Sequence, residues 1–566
     1  MRSSIPCAAH SLFAVFVFVG AAGADTINVP GDAPTIQAGI DMAMDGDTVL
    51  VAPGTYVETI DLSGKAITLK GSNATIDAAG LGTAITIASG EGPDTVVQGF
   101  TIVNGAGSDV HADGTTHGGA IVIVGTSPTI ADCIHNDNQA GTGGAIYIEN
   151  GSPLLDHCTF NANHAVGPIA LGGAIHAIGS EVTLNNCGFF LNRADVEFNG
   201  SGGAIAAEEG TTLVMDECHL HGNVARVHGG AVYCQMSDLT IIATPFHVNE
   251  AMLGGAISCL NGPYHLVDCL IYGSTSIGLG GAINAQHADA LIEGCDIAAN
   301  HAGSGGGALF AYASDTVVRG TTFTGNIADD SGGAISALEG TGDYANCLFI
   351  DNAAELVGGA MLNLQVATTI SNCTYWSNHS DDTGGAIYDH VISTTDIVNT
   401  IFRGNTPEQL SGAEGAVTTA TWSNIEGGYA GEGNIDSDPL FVDPDDAKAP
   451  DFSLSPGSPS ADAGSNDGVP EGVTTDVAGL ARFADDPDAA DTGQGEAPIV
   501  DMGAHETQGA VCAADCNGDG ALNILDFVCF QGKWQGQDEA GDCNGDGAYN
   551  ILDFVCFQGL FVAGCP

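Results

Sequence analysis

Eleven Gly-Gly-Ala steps punctuate this chain, with first glycines at 118, 143, 172, 202, 229, 254, 280, 306, 332, 358 and 384. The last six intervals are 25 or 26 residues long. A second signal keeps step with them, read as Phe-x-x-Asn at Phe160/Asn163, Phe189/Asn192, Phe246/Asn249, Phe323/Asn326, Phe349/Asn352 and Phe402/Asn405. Softened copies stand at Leu220/Asn223, Ile297/Asn300 and Tyr375/Asn378. A period in this range marks a solenoid, in which neighbouring units bury one another's apolar faces. Each unit is too short for strand, helix and strand, but suits short strands joined by turns. The pattern therefore predicts an all-β parallel β-helix. At a strand spacing of roughly 4.8 Å, about 14 coils would make a rod of roughly 65 Å. Within one unit, residues 146–148 and 153–160 are expected as two strands separated by the turn 150–152. Glycine corners let adjacent coils approach closely, and the recurring Asn suits a turn whose amide caps backbone groups of the next rung.

Composition narrows what such a rod can hold. The chain has 69 acidic and 10 basic side chains, a formal net charge of -59. No nucleic-acid surface can be assembled from that inventory, and an anionic membrane face is disfavoured. Divalent cations are the natural partners of such a surface. With 44% hydrophobic residues recurring periodically, the acidity belongs to a folded solenoid rather than to disorder.

The chain divides readily. Arg2, an apolar run over residues 12–20 and Ala22-Gly23-Ala24 form a secretory signal peptide, residues 1–24, cut before Asp25. Export to the cell surface or beyond follows. No later apolar run is long enough for a transmembrane helix in the mature chain. Residues 25–423 form the β-helix, opened by a capping helix at 34–40 that hides an otherwise open sheet edge. Residues 424–506 are an acidic tail expected to pack on the last coils, 507–511 a linker, and 512–566 a separate module.

Cysteines keep step with the repeat. Cys133, Cys158, Cys187, Cys218, Cys269, Cys295, Cys347 and Cys373 each lie 15 or 16 residues after a repeat glycine. Thr244 and Thr321 interrupt the series, which divides it into four neighbouring pairs. Cys234 and Cys259 make a fifth pair. Stacked free thiols and rung-to-rung disulfides are both open: rung spacing and an oxidising destination allow bridges, while a thiol is also a good small core filler.

The combined Gly-Gly-Ala-Ile and Phe-x-x-Asn signature resembles the polymorphic outer-membrane-protein repeats of bacterial surface proteins. The opening, with Asp45-Gly46-Asp47-Thr48 and Pro53-Gly54-Thr55-Tyr56, resembles the start of secreted right-handed parallel β-helix proteins, including pectate-lyase-like ones. That resemblance implies a right-handed coil. Tail phrases such as Asp462-Ala463-Gly464 and Asp501-Met502-Gly503-Ala504-His505-Glu506 resemble the closing segment of such proteins.

The sharpest chemical signal is C-terminal. A twelve-residue loop, 515–526, recurs 27 residues later as 542–553. Oxygen ligands at loop positions 1, 3, 5, 9 and 12, with a carbonyl at 7 and Gly at 6, can wrap one hard cation. The pair resembles a dockerin type I domain of the Cys-containing kind found in exported planctomycete proteins. That resemblance implies about two Ca2+ ions in an α-helical, EF-hand-like module. Asp515, Asn517, Asp519, Asn523 and Asp526 would be ligands, with the Ala521 carbonyl. Asp542, Asn544, Asp546, Asn550 and Asp553 repeat the roles, with the Ala548 carbonyl. It also implies a cohesin-like partner, but Ile524, Leu525, Ile551 and Leu552 are apolar at the contact positions. They favour a dedicated anchoring receptor, or else fill the module's own core. Cys512 and Cys565 could be clamped together, and Cys516, Cys529, Cys543 and Cys556 could supply two more bridges.

No catalytic residue is assigned. A uronate lyase on this fold needs a strong base, and Arg193 and Arg226, near Asp195 and Glu197, are the best candidates among Arg193, Arg226, Arg319 and Arg403. A glycosidase needs paired carboxylates, for which Asp329-Asp330 and Asp381-Asp382 are available. His157, His176, His228 and His287 show no triad or ligand spacing. The even rungs show no local break of the kind a cleft needs. The reading is an anchored, non-catalytic rod that binds extracellular polysaccharide or surface molecules. Its alternatives are a polysaccharide lyase or hydrolase, and a purely structural envelope protein.

Overall fold

The computed structural model describes residues 24–195, 199–446, 449–487, 489–508, 514, 516–517, 522–537, 541–544 and 547–563. Except for Ala24, the leader lies outside them. The chain winds into a parallel β-solenoid of about fifteen turns. That agrees with the number of coils expected, and strands Thr48–Val51 and Thr68–Asp77 already pair in register ahead of the first Gly-Gly-Ala.

One coil carries four short strands rather than the two expected: Ile146–Glu149, Leu154–Asp156, Thr159–Asn161 and His164–Ala165. Equivalent strands of successive coils stack into four columns, numbered 1 to 4 in that order. Columns 1 to 3 merge into one large sheet and column 4 is a separate ten-stranded sheet. The expected strand over 153–160 breaks because His157 adopts the left-handed conformation, φ 51°. A second left-handed residue, Ala162 at φ 53°, ends column 3. After each of these bends the next side chain turns inward: Cys or Thr at one, Asn at the other.

Both inward rows are satisfied by stacking. Within each run of the ladder the Asn amide donates to the Oδ1 of the next rung, as in Asn163 to Asn192 and Asn192 to Asn223, both at 3.0 Å. Its second hydrogen goes to a backbone carbonyl of the preceding coil, Asn192 to Phe160 at 3.0 Å. Every polar atom of the buried amide is thus paired, as a dry interior requires. The Phe row beneath stacks face to face, with Phe323, Phe349, Tyr375 and Phe402 centroids 4.9, 4.4 and 4.6 Å apart in turn.

The core cysteines are ten buried free thiols. Cys133, Cys158, Cys187 and Cys218 occupy consecutive rungs in register, one uninterrupted column of four rather than two separate pairs. The thiols of Cys158, Cys187 and Cys218 each lie against the carbonyl two residues back, Cys158 to Asp156 at 3.5 Å, while Cys133 meets Val97 O at 3.7 Å. Thr244 makes the same contact to Ile242 at 2.8 Å, so Thr and Cys alternate freely here. Burial pushes the Cys133 thiol up to about 12, which keeps it an inert filler. Cys234 and Cys259 face each other in column 1.

Both ends are closed. Helix α1, Ile36–Met42, buries Ile36, Gly39 and Ile40 over the first rung, and Thr35 caps it by accepting from Ala38 N at 3.1 Å. A Cβ on Gly39 would lie 2.9 Å from Val29 Cγ2, so only glycine allows this approach. At the other end, Phe452 and Ala504 pack on Leu348 and Ile350, and Leu454, Ala461 and Met502 on Ile401. Asn346 and Asn399, at the first bend of their coils, clasp this segment, donating to Thr475 O and Ser465 O. Beyond it, helices α2, Ile524–Gly536, and α3, Ile551–Ala563, pack through Phe527, Phe530, Phe554, Phe557 and Trp534. Among the described helices none is long and apolar enough to cross a membrane.

Candidate functional site

Column 1 departs from simple inside-outside alternation. In Ile146–Glu149 the first and third residues enter the core, yet Tyr147, which points the other way, is only 1% exposed. The cause is the double-glycine corner. Gly143 takes φ 57°, and a Cβ on Gly144 would lie 2.1 Å from the Gly173 carbonyl oxygen. The chain therefore folds back tightly and sets a row of bridging residues, among them His117, Thr142, Leu171, Ser201 and His228, against the outward row of column 1. The two rows meet in an inner angle along the rod.

Between the rungs of Tyr147 and Tyr233 this angle is polar and aromatic. The His117 and Tyr147 rings lie 4.4 Å apart, and His228 stacks on Tyr233 at 5.3 Å. Tyr147 Oη lies 3.2 Å from His111 Nε2 and 3.4 Å from Glu149 Oε2, and His111 Nε2 lies 3.1 Å from Glu149 Oε2. One rung on, His176 Nε2 lies 3.2 Å from Glu208 Oε2. Burial lowers His117, helped by the neighbouring His111. Burial raises Tyr147, with the Glu149 charge adding to it, so the phenol stays a protonated donor. Glu149 and Glu208 occupy equivalent positions two rungs apart, with Ile178 between them. Their Cα atoms are therefore separated by roughly 10 Å.

Insertions wall this stretch, so the rungs are not even. In the regular part six residues separate the ladder Asn from the next double glycine, as from Asn300 to Gly306; from Asn163 to Gly172 it is nine and from Asn192 to Gly202 ten. Residues 104–117 form a longer excursion that delivers His111. Two of the insertions pair with each other, Ala170–Leu171 against Gly200–Ser201, over a small cluster of Ala165, Ala170 and Ala194. These spacings were the signal from which the site was readable. Of the histidines the sequence set aside, His176 and His228 belong here.

The lyase candidates do not assemble a base. Arg193 donates from Nε to Asp195 Oδ2 at 2.9 Å, and that contact holds its guanidinium above its ordinary value. Burial pushes Asp195 up, but Arg193 and His164 pull its carboxyl below the usual range. Arg226 is exposed, and Glu197 lies outside the described residues. Arg319 lines a hollow of about 510 Å³ with Asp268, Glu293 and Glu471, but donates to Asp343 and to two carbonyls. Asp329 and Asp381 are each taken up by a histidine, His301 at 2.8 Å and His379 at 3.0 Å.

In the C-terminal module, Asp515, Asp519, Ala521 and Asp546 lie outside the described residues, as do Cys512 and Cys565. Asp526 and Asp553 are fully buried at the starts of α2 and α3. Asp553 Oδ2 accepts from Asn550 N at 2.7 Å, and its Oδ1 has no hydrogen-bond partner among the described residues. Asp542 Oδ2 accepts from Gly547 N at 2.7 Å, and Gly547, loop position 6, takes φ 76°. An orphaned buried carboxylate oxygen beside further oxygen donors fits a hard cation. Cys516 is bonded to Cys529 and Cys543 to Cys556, which ties each loop to its own helix. Ile524 and Ile551 are each 71% exposed and Leu525 and Leu552 each 54%, so these four do not fill the module's core.

The Chlamydia polymorphic membrane protein (Chlamydia_PMP) repeat matches residues 320–338. No curated protein matches the chain. Similar solved structures include PfbA, a surface adhesin of Streptococcus pneumoniae, at 13% identity, 69% of this chain, 87% of that chain and TM-score 0.30. A GH87 alpha-1,3-glucanase from Streptomyces thermodiastaticus gives 13%, 70%, 68% and 0.33. The pectate lyase Pel9A gives 11%, 86%, 97% and 0.20. By its own strand register and the repeat match, the chain is a parallel β-helix repeat protein.

Proposed function

We propose that this protein is an exported, surface-anchored rod that binds an extracellular polysaccharide along the inner angle at Tyr147, His176 and Glu208. The observation that carries the reading is the walled row of aromatic rings, carboxylates and imidazoles on consecutive rungs. Rungs repeat at roughly 4.8 Å, close to the length of one sugar residue, so a linear glycan can meet a similar edge at each step. The partly exposed carboxylates of Glu149 and Glu208 accept from sugar hydroxyls, and the buried rings of Tyr147 and His176 hold them in place. A net charge of -59 favours a neutral polymer over a polyanion.

The C-terminal module serves as the anchor in this reading. Asp526 and Asp553, both buried, and the remaining loop oxygens would hold Ca2+, which would supply the positive charge these carboxylates lack. The duplicated exposed pairs Ile524/Leu525 and Ile551/Leu552 offer an apolar docking face to the receptor.

Affinity electrophoresis of the mature protein through gels cast with neutral and acidic polysaccharides tests the rod. Retardation by a neutral polymer is expected, weakened about tenfold, or about 1.4 kcal/mol, by Tyr147→Phe or Glu208→Gln. Retardation unchanged in both variants would move the ligand elsewhere, and none with any polymer would end the reading. One observation favours hydrolysis as the second reading. Glu149 and Glu208 stand at a separation from which their carboxyl groups can reach the range used for inversion. Reducing ends released by the same protein, and lost in Glu149→Gln, would establish it.

A further inference from the structure

Among the described residues, only one group of three acidic, cysteine or histidine side chains has ligand atoms close enough to share an ion. One oxygen each from Asp462, Asp485 and Asp491 lies within 4.8 Å of the others. Asp485 and Asp491 are exposed and by themselves would mean little. Asp462 is different. It is 1% exposed, and neither of its carboxylate oxygens has a hydrogen-bond partner among the described residues.

The backbone holds that carboxylate where it is. Asp462 takes φ 48°, its N donates to Asp501 Oδ1 at 2.8 Å, and its carbonyl accepts from Thr492 and Gly493 at 3.0 and 3.1 Å. Three residues on, Ser465 is clasped by Asn399 of the last coils at 2.6 and 2.8 Å. The side chain cannot swing to solvent without undoing this bend. Arg482, the buried cation of this segment, is spent on the carbonyls of Asp501, Gly503 and Ala504 and on Glu506 at 3.3 Å. An unpaired buried carboxylate facing like charges costs several kcal/mol. Burial, then the charges of Asp501, Asp485, Asp491 and Asp486, push Asp462 up to about 7.

We propose that Asp462, Asp485 and Asp491 hold one calcium ion, which fastens segment 485–493 to the bend at Asp462 and so locks the tail over the last coils. All three donors are hard oxygens, which disfavours zinc and copper. One buried and two exposed carboxylates leave the remaining positions to water, an irregular shell that Ca2+ accepts more readily than Mg2+. This site is independent of the C-terminal loops.

The test uses the full mature chain carrying Asp526→Ala and Asp553→Ala, which disables both loops. Equilibrium dialysis with radioactive calcium at pH 7.5 is expected to find one ion per chain. Asp462→Asn should abolish it, and Asp491→Asn, an exposed change that leaves the fold alone, should weaken it at least tenfold. Equal magnesium should not displace the calcium. A chelator should open residues 485–493 to proteolysis in the loop-disabled chain. Absence of calcium in that chain, or binding undisturbed by both Asp462→Asn and Asp491→Asn, overturns the proposal; displacement by equal magnesium overturns the choice of calcium.

Discussion

His135 occupies the Phe position of its rung. It stacks on Phe160 at 4.6 Å, and neither ring nitrogen has a partner among the described residues. Burial pushes it down to about 3 from 6.5. Between those values the unfolded chain binds a proton that the folded chain does not, so stability falls as pH drops through the window. At pH 5 the penalty is about 2 kcal/mol, from about 1.5 units at 1.36 kcal/mol each. His135→Phe should therefore stabilise the protein by about 2 kcal/mol more at pH 5 than at pH 8. Urea melts at both pH values measure it, and an equal effect at both would show that His135 is already charged in the fold.

The asparagine ladder is the element on which the coil's second bend depends, and it runs in two pieces. Asn138 to Asn249 and Asn300 to Asn405 are continuous, but Ser274 separates them. Ser274 N donates to Asn300 Oδ1 at 2.9 Å, while its own hydroxyl is buried without a partner among the described residues. Ser274→Asn should join the ladders and raise stability by about 1 kcal/mol, whereas Asn326→Ala should lower it by about 3 kcal/mol. Differential scanning calorimetry checks both, and a destabilising Ser274→Asn would show that this rung is too narrow for the amide. The Phe and Asn columns, and hence the solenoid, were legible because one chemistry recurs at one register position. The corner row was not, since Val122, Tyr147, His176, Ala206 and Tyr233 share a column by geometry and nothing by side-chain type. Only the stretched intervals after Asn163 and Asn192 marked it. The Asp462 cluster was still less visible, because its members are brought together by a tail whose composition reads as a linker.

Across the whole molecule, each coil touches only its neighbours, so stability is nearly a sum of local terms and the ends decide where opening begins. At the C-terminal end the decisive group is Arg482, fully buried in a segment rich in Asp and Pro. Besides its three carbonyl contacts and Glu506, its Nη2 meets the amide oxygen of Asn372 at 2.9 Å when that amide is turned toward it. Asn346, Asn372 and Asn399 follow one another in the left-handed bend row of the last coils, at φ 54°, 50° and 52°. Each of the three touches the tail, where earlier rungs carry Asp132, His157, Asn186, Glu217, Ala243, Asp268, Gly294 and Gly320 at the same position. Arg482→Ala leaves buried Glu506 with only the Ala484 and Asp501 amides and strips a row of carbonyls of their donor, a loss of about 3 kcal/mol. In a one-dimensional fold that loss stays local. Hydrogen exchange of the variant should show amides of 460–506 losing protection while the strands from Ile205 to Ile350 keep theirs. Loss of protection along the entire rod would mean that the coils unfold as one cooperative unit and that the tail is part of their core.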